Sequence, residues 1–321
     1  MKASIFIPTG NRAKSLNNVL ASLTKQSYKN FEVLIVDYKS TDDTEFIINR
    51  YKKRLQIKVI HQHIKGLSRA ANLALRQTTG AIFIRTDDDV VMSTNWLREI
   101  VSTFASSKLI GGVTGPTIIP IAHRKNRDLF RFERKFKNGS FLWKLLGKLY
   151  FGYFMDNRQY ETSMWLDSGA FSLGSNFPSA KKVPLHPSTN LEPCNFSVRT
   201  SLLKSVGGFD TIYGGVGECH EGDAANKIRL NGYQLIFNPK AWLYHCPSKD
   251  GFYSERPNSY SRMINFVVFY RRNIKLDSFR KVSKFFPYLI FLNCYYIYTA
   301  LTTKQLKQLG AIPGTIVGFL K

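Results

Sequence analysis

Acidic side chains are scarce in this sequence: 22 Asp and Glu stand against 46 Lys and Arg, a formal net charge of +24. Such a field draws polyanions (nucleotides, nucleic acid or an anionic lipid surface) without choosing among them. Cysteine is scarcer still. Cys194, Cys219, Cys246 and Cys294 are scattered without a Cys-x-x-Cys pair, which argues against a disulfide framework and fits a reducing compartment. Cys219-His220 and His245-Cys246 match no structural zinc spacing. No secretory signal precedes the first strand-like segment, and no internal repeat is found. An RNP-like strand is also missing, which counts against an RNA-binding module that uses the positive charge. Gly10-Asn11-Arg12 is too sparse for a glycine-rich phosphate loop, which counts against a nucleotidyltransferase.

What is present is apolar enough to fold. At 44% hydrophobic and 14% aromatic residues, 321 residues can bury a substantial core, so disorder is excluded as a general state. Ser4 to Pro8 reads as a short buried strand, and Leu16, Val19, Leu20 and Leu23 make the apolar face of a helix over 17–26. Phe31 to Val36 is a second strand ending at Asp37, and Ser40 to Thr44 has the character of a helix start. A third strand is predicted over Gln56 to His61, a helix over Leu67 to Gln77, and a fourth strand over Ala81 to Arg85. Alternating strands and helices predict an α/β fold around a doubly wound, mainly parallel sheet, whose ligands bind beyond the carboxyl ends of the strands.

Pro8-Thr9, Asp37 and the triplet Asp87-Asp88-Asp89 all fall at those ends and should share one pocket. Three carboxylates closing an apolar strand are costly unless a cation or hydrogen bonds compensate. Hard divalent ions such as Mg²⁺ and Mn²⁺ take carboxylate oxygens together with substrate phosphates.

The ordered pieces IPTGNR (Ile7 to Arg12), VLIVDYKSTDDT (Val33 to Thr44), GLSRAANLAL (Gly66 to Leu75), RTDDDVV (Arg85 to Val91), NFSVR (Asn195 to Arg199), GGFD (Gly207 to Asp210) and HEGDAANKIRLNGY (His220 to Tyr233) resemble a family-2 inverting glycosyltransferase of the GT-A fold. The resemblance covers roughly residues 3 to 110 and 190 to 250. It implies a catalytic domain over 1–250, with a Rossmann-like nucleotide-sugar half over 1–115 and an acceptor half over 116–250. A basic, helical extension would follow over 251–321.

The roles follow position by position. The resemblance implies that Pro8, Thr9 and Arg12 line the nucleotide, that Asp37 meets the base, and that Arg69 meets the diphosphate. Asp87 and Asp89 resemble the metal-binding Asp-x-Asp pair, with Asp87 or Asp88 also reaching the ribose and His245 a further ligand to Mg²⁺ or Mn²⁺. Asn195 and Arg199 would shape the acceptor pocket. An inverting transfer needs one carboxylate to take the acceptor's proton. Glu221 stands where the family has its basic aspartate and Asp223 matches the following acid, but Gly222 separates them where the family has adjacent carboxylates. Glu221 is the favoured base, and Asp223 stays open.

The strongly basic segment between Pro120 and Pro187 (His123 to Arg127, Arg131, Arg134-Lys135) reads as an insertion beside the pocket. The most apolar run, Phe285 to Leu301, is about 17 residues long, short of the ~20 that span a bilayer, and basic residues flank it. It suits an interfacial anchor on an anionic membrane, with core helices or a true span as the alternatives. The expected setting is therefore the cytoplasmic face of a membrane. The expected substrates are a nucleoside-diphosphate sugar and a glycan or polyisoprenyl-linked acceptor.

Overall fold

A computed structural model describes residues 1–124, 128–247 and 258–321. Strands and helices alternate through the first third: β1 (Ala3–Thr9), α1 (Ala13–Thr24), β2 (Phe31–Asp37), α2 (Thr44–Lys52), β3 (Ile57–His61), α3 (Leu67–Gln77) and β4 (Ile82–Arg85). There follow β5 (Val90–Met92), α4 (Trp96–Ser106), β6 (Ile110–Thr114) and β7 (Thr117–Ile118). An insertion then contributes α5 (Ile121–Arg124), α6 (Asp128–Asn138), α7 (Phe141–Lys148) and β8 (His186–Ser188). The chain returns through β9 (Phe196–Arg199), α8 (Thr200–Ser205), α9 (His220–Leu230), β10 (Gln234–Phe237) and β11 (Leu243–His245). It closes with α10 (Ser259–Phe269), α11 (Phe279–Thr303) and α12 (Ala311–Leu320).

One eight-stranded sheet runs β3-β2-β1-β4-β9-β6-β10-β8, and β5-β11-β7 form a small second sheet. β3, β2, β1 and β4 are mutually parallel, as are β6 and β10, whereas β9 lies antiparallel between β4 and β6. The central strands are covered on both sides, so they read as unbroken apolar runs instead of alternating ones. Their period-2 geometry still sorts the side chains. Ile5, Ile7, Val33, Ile35, Ile82 and Ile84 face α1 and α4, while Phe6, Leu34, Val36 and Phe83 face α3, α8 and α9. β1 is the switch point, where the order turns outward to β2 on one side and to β4 on the other. The crevice beyond β1 and β4 is where such sheets bind ligands.

The predicted alternation therefore holds, with β5, α4, β6 and β7 added between the triplet and the insertion. In the extension, the apolar run singled out in the sequence is one face of α11. Phe285, Leu289 and Tyr296 are buried with Met263, Val267 and Tyr270 of the preceding helical segment. Among the described residues no helix is long and apolar enough to cross a membrane. Side-chain contacts tie the extension to the rest, among them Asn273, which accepts from Asn226 on α9 at 2.9 Å, Arg272, which pairs with Asp210 at 2.9 Å, and Arg262, which pairs with Glu218 at 2.7 Å.

Candidate active site

The triplet leaves β4 in a turn whose carboxylates point three ways. Arg12, at the start of α1, donates from one guanidinium nitrogen to Asp88 Oδ1 at 2.6 Å and from another to Asp89 Oδ2 at 2.9 Å. Thr9 Oγ1 donates to Asp88 Oδ2 at 2.8 Å. The end of β1 thus holds the end of β4. Arg12 was expected to line the nucleotide; its guanidinium is engaged by these carboxylates. Burial and the neighbouring carboxylates push Asp88 above the usual carboxylate range, although Arg12 opposes them. Burial also works against ionised Asp89, but His245 and Arg12 outweigh it and hold its carboxyl far below that range.

His245, at the end of β11, is brought to the triplet because β11 pairs antiparallel with β5, opposing His245 to Val90. Its Nε2 lies 3.4 Å from Asp89 Oδ1, and both atoms are buried without a hydrogen-bond partner. A buried imidazole nitrogen and carboxylate oxygen this close, neither with a hydrogen-bond partner, suit a divalent cation. Asp87, Cys194 and His245 also place one ligand atom each within 4.8 Å of one another. Cys194 is absent from the motifs read in the sequence, because only the pairing of β9 with β4 brings it beneath the turn. Burial pushes its thiol well above the ordinary range, so it stands as a neutral neighbour of the acids.

Arg85 joins the two halves of the site. It is 3% exposed, donates to Asp87 Oδ1 at 2.9 Å and forms an ion pair with Glu221 Oε1. His220 Nε2 lies 3.1 Å from the same Oε1, and its Nδ1 lies 2.7 Å from Ser68 Oγ. Burial, with Arg85 nearby, holds the His220 imidazole well below its usual pKa and hence neutral. Asp223, two residues further into α9, is differently occupied: Tyr213 and Asn273 each donate to Oδ1 at 3.1 Å, and Lys227 pairs with Oδ2 at 2.8 Å. The Gly222 between them has a steric reason. A Cβ there would sit 2.8 Å from the Phe269 ring and 3.2 Å from Trp165 Nε1.

The remaining expected residues divide. Pro8 is half-buried at the end of β1, and Thr9 stands opposite Asp37 in the β1–β2 register. Asp37 accepts from the Ser40 hydroxyl and from its backbone N–H, so it also caps its own turn. Arg69 is exposed at the start of α3, with no hydrogen bond or ion pair among the described residues. Asn195 and Arg199 are not presented as acceptor ligands. Asn195 is fully buried, accepting from Trp96 Nε1 and donating to the Ala241 carbonyl, both at 2.8 Å. Arg199 opposes Ile82, at the far end of β4 from the triplet, and donates to the carbonyls of Ile110, Phe104 and Ser107. Both are structural ties: the antiparallel β9 carries Arg199 away from the site, and Asn195, at the triplet end of the strand, spends its amide on buried partners.

Of the basic insertion, Lys125 to Arg127 lie outside the described residues. Arg124 lies over the Phe130 and Phe177 rings, and the Lys135 ammonium is 4.8 Å from the Trp143 centroid. A surface cleft of about 480 Å³ is lined by Glu99, Lys181, Pro239 and Lys240, away from the triplet. Asp88 and Asp89 are buried against Arg12, whereas Asp87 stays partly exposed.

Fold and site together define the GT-A class of glycosyltransferase. The structure of Staphylococcus aureus TarS residues 1–349 with UDP-GlcNAc superposes with a TM-score of 0.60, 20% identity, and coverage of 98% of this chain and 79% of that one. The mannosyltransferase PcManGT of Pyrobaculum calidifontis, solved with GDP-Man and Mn²⁺, gives 0.57, 17%, 98% and 87%. The family model for glycosyl transferase family 2 matches residues 4–178, and the chain belongs to that family. In sequence it is 34% identical over 103 residues to the poly(ribitol-phosphate) β-N-acetylglucosaminyltransferase TarS of S. aureus strain Mu50, which is 31% of this chain and 18% of that protein. It is 33% identical over 116 residues to the glycosyltransferase AglE of Haloferax volcanii, which is 34% of this chain and 38% of AglE. The chain therefore matches less than two fifths of either sequence relative.

Proposed function

We propose that the protein is a metal-dependent, inverting glycosyltransferase that moves a sugar from a nucleoside-diphosphate donor to a glycan or polyisoprenyl-linked acceptor. The acceptor would lie at the cytoplasmic face of an anionic membrane. The observation that carries this reading is the convergence of Asp87, Asp89 and His245 with Glu221 at one end of the sheet, joined through Arg85. Asp89 and His245, with Asp87, would hold Mg²⁺ or Mn²⁺; PcManGT was solved with Mn²⁺. When bound, the ion supplies Lewis-acid stabilisation of the departing nucleoside diphosphate.

The chain's own residues account for the rest. Thr9 and Arg12 fix the carboxylates of the triplet, so the site is organised before a ligand arrives. Asp37, beside Thr9 in the sheet, lies where a nucleobase would meet the β1–β2 edge. Exposed Arg69 suits the diphosphate, since a guanidinium fork matches phosphate oxygens. Glu221 is the better base. Both of its contacts fall on Oε1, leaving Oε2 to receive a proton from the acceptor hydroxyl as that oxygen attacks the anomeric carbon opposite the leaving diphosphate. Asp223, already engaged by Tyr213, Asn273 and Lys227, is a structural acid at the start of α9.

The experiment is a thermal-shift panel of UDP, GDP, dTDP and CDP, each with Mn²⁺ and with EDTA. One nucleotide raising Tm only with metal, and losing the shift in Asp89→Ala, identifies the donor class. No shift with any nucleotide on folded, Mn²⁺-loaded protein sinks the reading.

A further inference from the structure

We infer that the outer face of α12, together with the α11 surface beside it, is a docking surface for an anionic lipid bilayer. The inference is independent of the catalytic reading. α12 turns Ala311, Gly314 and Gly318 inward, where Gly314 and Gly318 let Tyr260 and Val267 of α10 approach closely. The opposite face, at helical spacing, carries Ile312, Ile316 and Leu320, which are 45%, 58% and 81% exposed. A helix apolar on both faces is ordinarily buried or in contact with lipid. α11 continues the patch. Phe286 stacks on Phe319 with ring centroids 6.1 Å apart, Asn293 donates to Thr315 at 3.1 Å, and Ile290 between them is 64% exposed.

Charge selects the occupant. No Asp or Glu follows Asp277, whereas Arg280, Lys281, Lys284, Lys304, Lys307 and Lys321 do. The first three pair with Asp156, Asp167 or Asp277. Lys304 and Lys307, just before α12, and Lys321, just after it, are exposed and have no carboxylate partner among the described residues. An apolar stripe bracketed by unpaired lysines matches a bilayer with acidic headgroups: side chains enter the acyl boundary while the ammonium groups stay at the phosphates. Each such lysine adds roughly fivefold to binding of an anionic surface. The surface centres on the last helix, and the longer apolar run adds only the flank with Phe286 and Ile290, because its own best face is core.

The test is co-flotation of the full chain with vesicles of phosphatidylcholine, alone or mixed with phosphatidylglycerol. Binding is expected to the mixed vesicles only, weakening as salt rises. It should fall at least tenfold in Ile316→Glu and in Lys304→Glu/Lys307→Glu. Because both changes are on exposed positions, circular dichroism and Tm should stay at wild type, and the nucleotide thermal shift should be unaltered. That last readout separates failure here from failure of the catalytic reading. The inference is overturned if the wild type ignores anionic vesicles, or if folded Ile316→Glu binds them as well as wild type. It is also overturned if Ile316→Glu converts a dimer to a monomer by light scattering without changing vesicle binding, because a second copy would then cover the face.

Discussion

Arg85 pairs with Glu221 across the gap between β4 and α9, while another nitrogen of the same guanidinium holds Asp87. An acid from the donor side and the candidate base thus share one buried cation. Removing one partner of a buried ion pair leaves the other charge uncompensated, at a cost of about 3–5 kcal/mol. Arg85→Met is expected to lose stability on that scale. Arg85→Met/Glu221→Gln, which leaves only the partly exposed Asp87 without its cation, should recover much of it. Glu221→Gln alone should keep the Mn²⁺-dependent nucleotide shift while turnover falls roughly 10²–10⁴-fold. Urea midpoints, with single-turnover transfer rates, check both expectations.

Gly222 makes a second prediction. Phe269 and Trp165 occupy the space a Cβ would need, so Gly222→Ala should destabilise by about 1–3 kcal/mol through overpacking. Phe269→Leu in the same chain should relieve it. Additive losses in the double variant, measured by thermal unfolding, would show that this ring is not the obstacle.

Arg199 tests a reading taken from sequence alone. With its three carbonyl partners at the end of α4 and the start of β6, Arg199→Leu should cost about 1–3 kcal/mol of stability. The acceptor KM should stay as in wild type. A raised KM with unchanged unfolding would return Arg199 to the acceptor pocket.

Acid sensitivity should trace partly to Glu32. Burial raises its pKa, but Ser4, the Thr79 backbone N–H and hydroxyl, and Lys2 donate to it and hold the carboxyl below its ordinary value. A depressed folded-state pKa contributes stability that is present above the unfolded value of about 4.3 and is lost as pH falls through the folded value. Glu32→Gln should therefore be less stable than wild type at neutral pH, with the gap closing below about pH 4. Chemical denaturation across that range checks the sign, and a gap that widened in acid would refute it.

Much of the first half of the sheet was legible because its signals are local. β1, β2 and β4 are fully covered, so their apolar runs stand out, and the polar residues that end them lie at one edge of the sheet by topology alone. The acidic triplet was legible for the same reason, whereas His245 was read only through the family resemblance, since the pairing of β11 with β5 is what brings it there. What was not legible depends on which distant groups meet. Arg85 is one residue of a strand until α9 packs over it, and Cys194 lies near the metal candidates only because β9 runs antiparallel to β4. Asn195 and Arg199 carry polar atoms that suit a substrate equally well, and only their buried carbonyl partners show otherwise. Nor does composition reveal that α11 presents its best apolar face inward and that α12 presents one outward.

The Phe269 ring over Gly222 and the Asn273 amide on Asp223 both come from the C-terminal extension. The helix carrying the candidate base is thus finished by a segment far along the chain. Excising residues 258–321 would strip the Phe269 ring and the Asn273 amide from the helix turn that carries Glu221, so such a truncation should loosen that turn while leaving the acidic triplet's own contacts in place. A chimera that borrows a relative's tail would inherit the same defect unless that tail brings a ring and an amide to these two places. Modularity in this protein stops at α9.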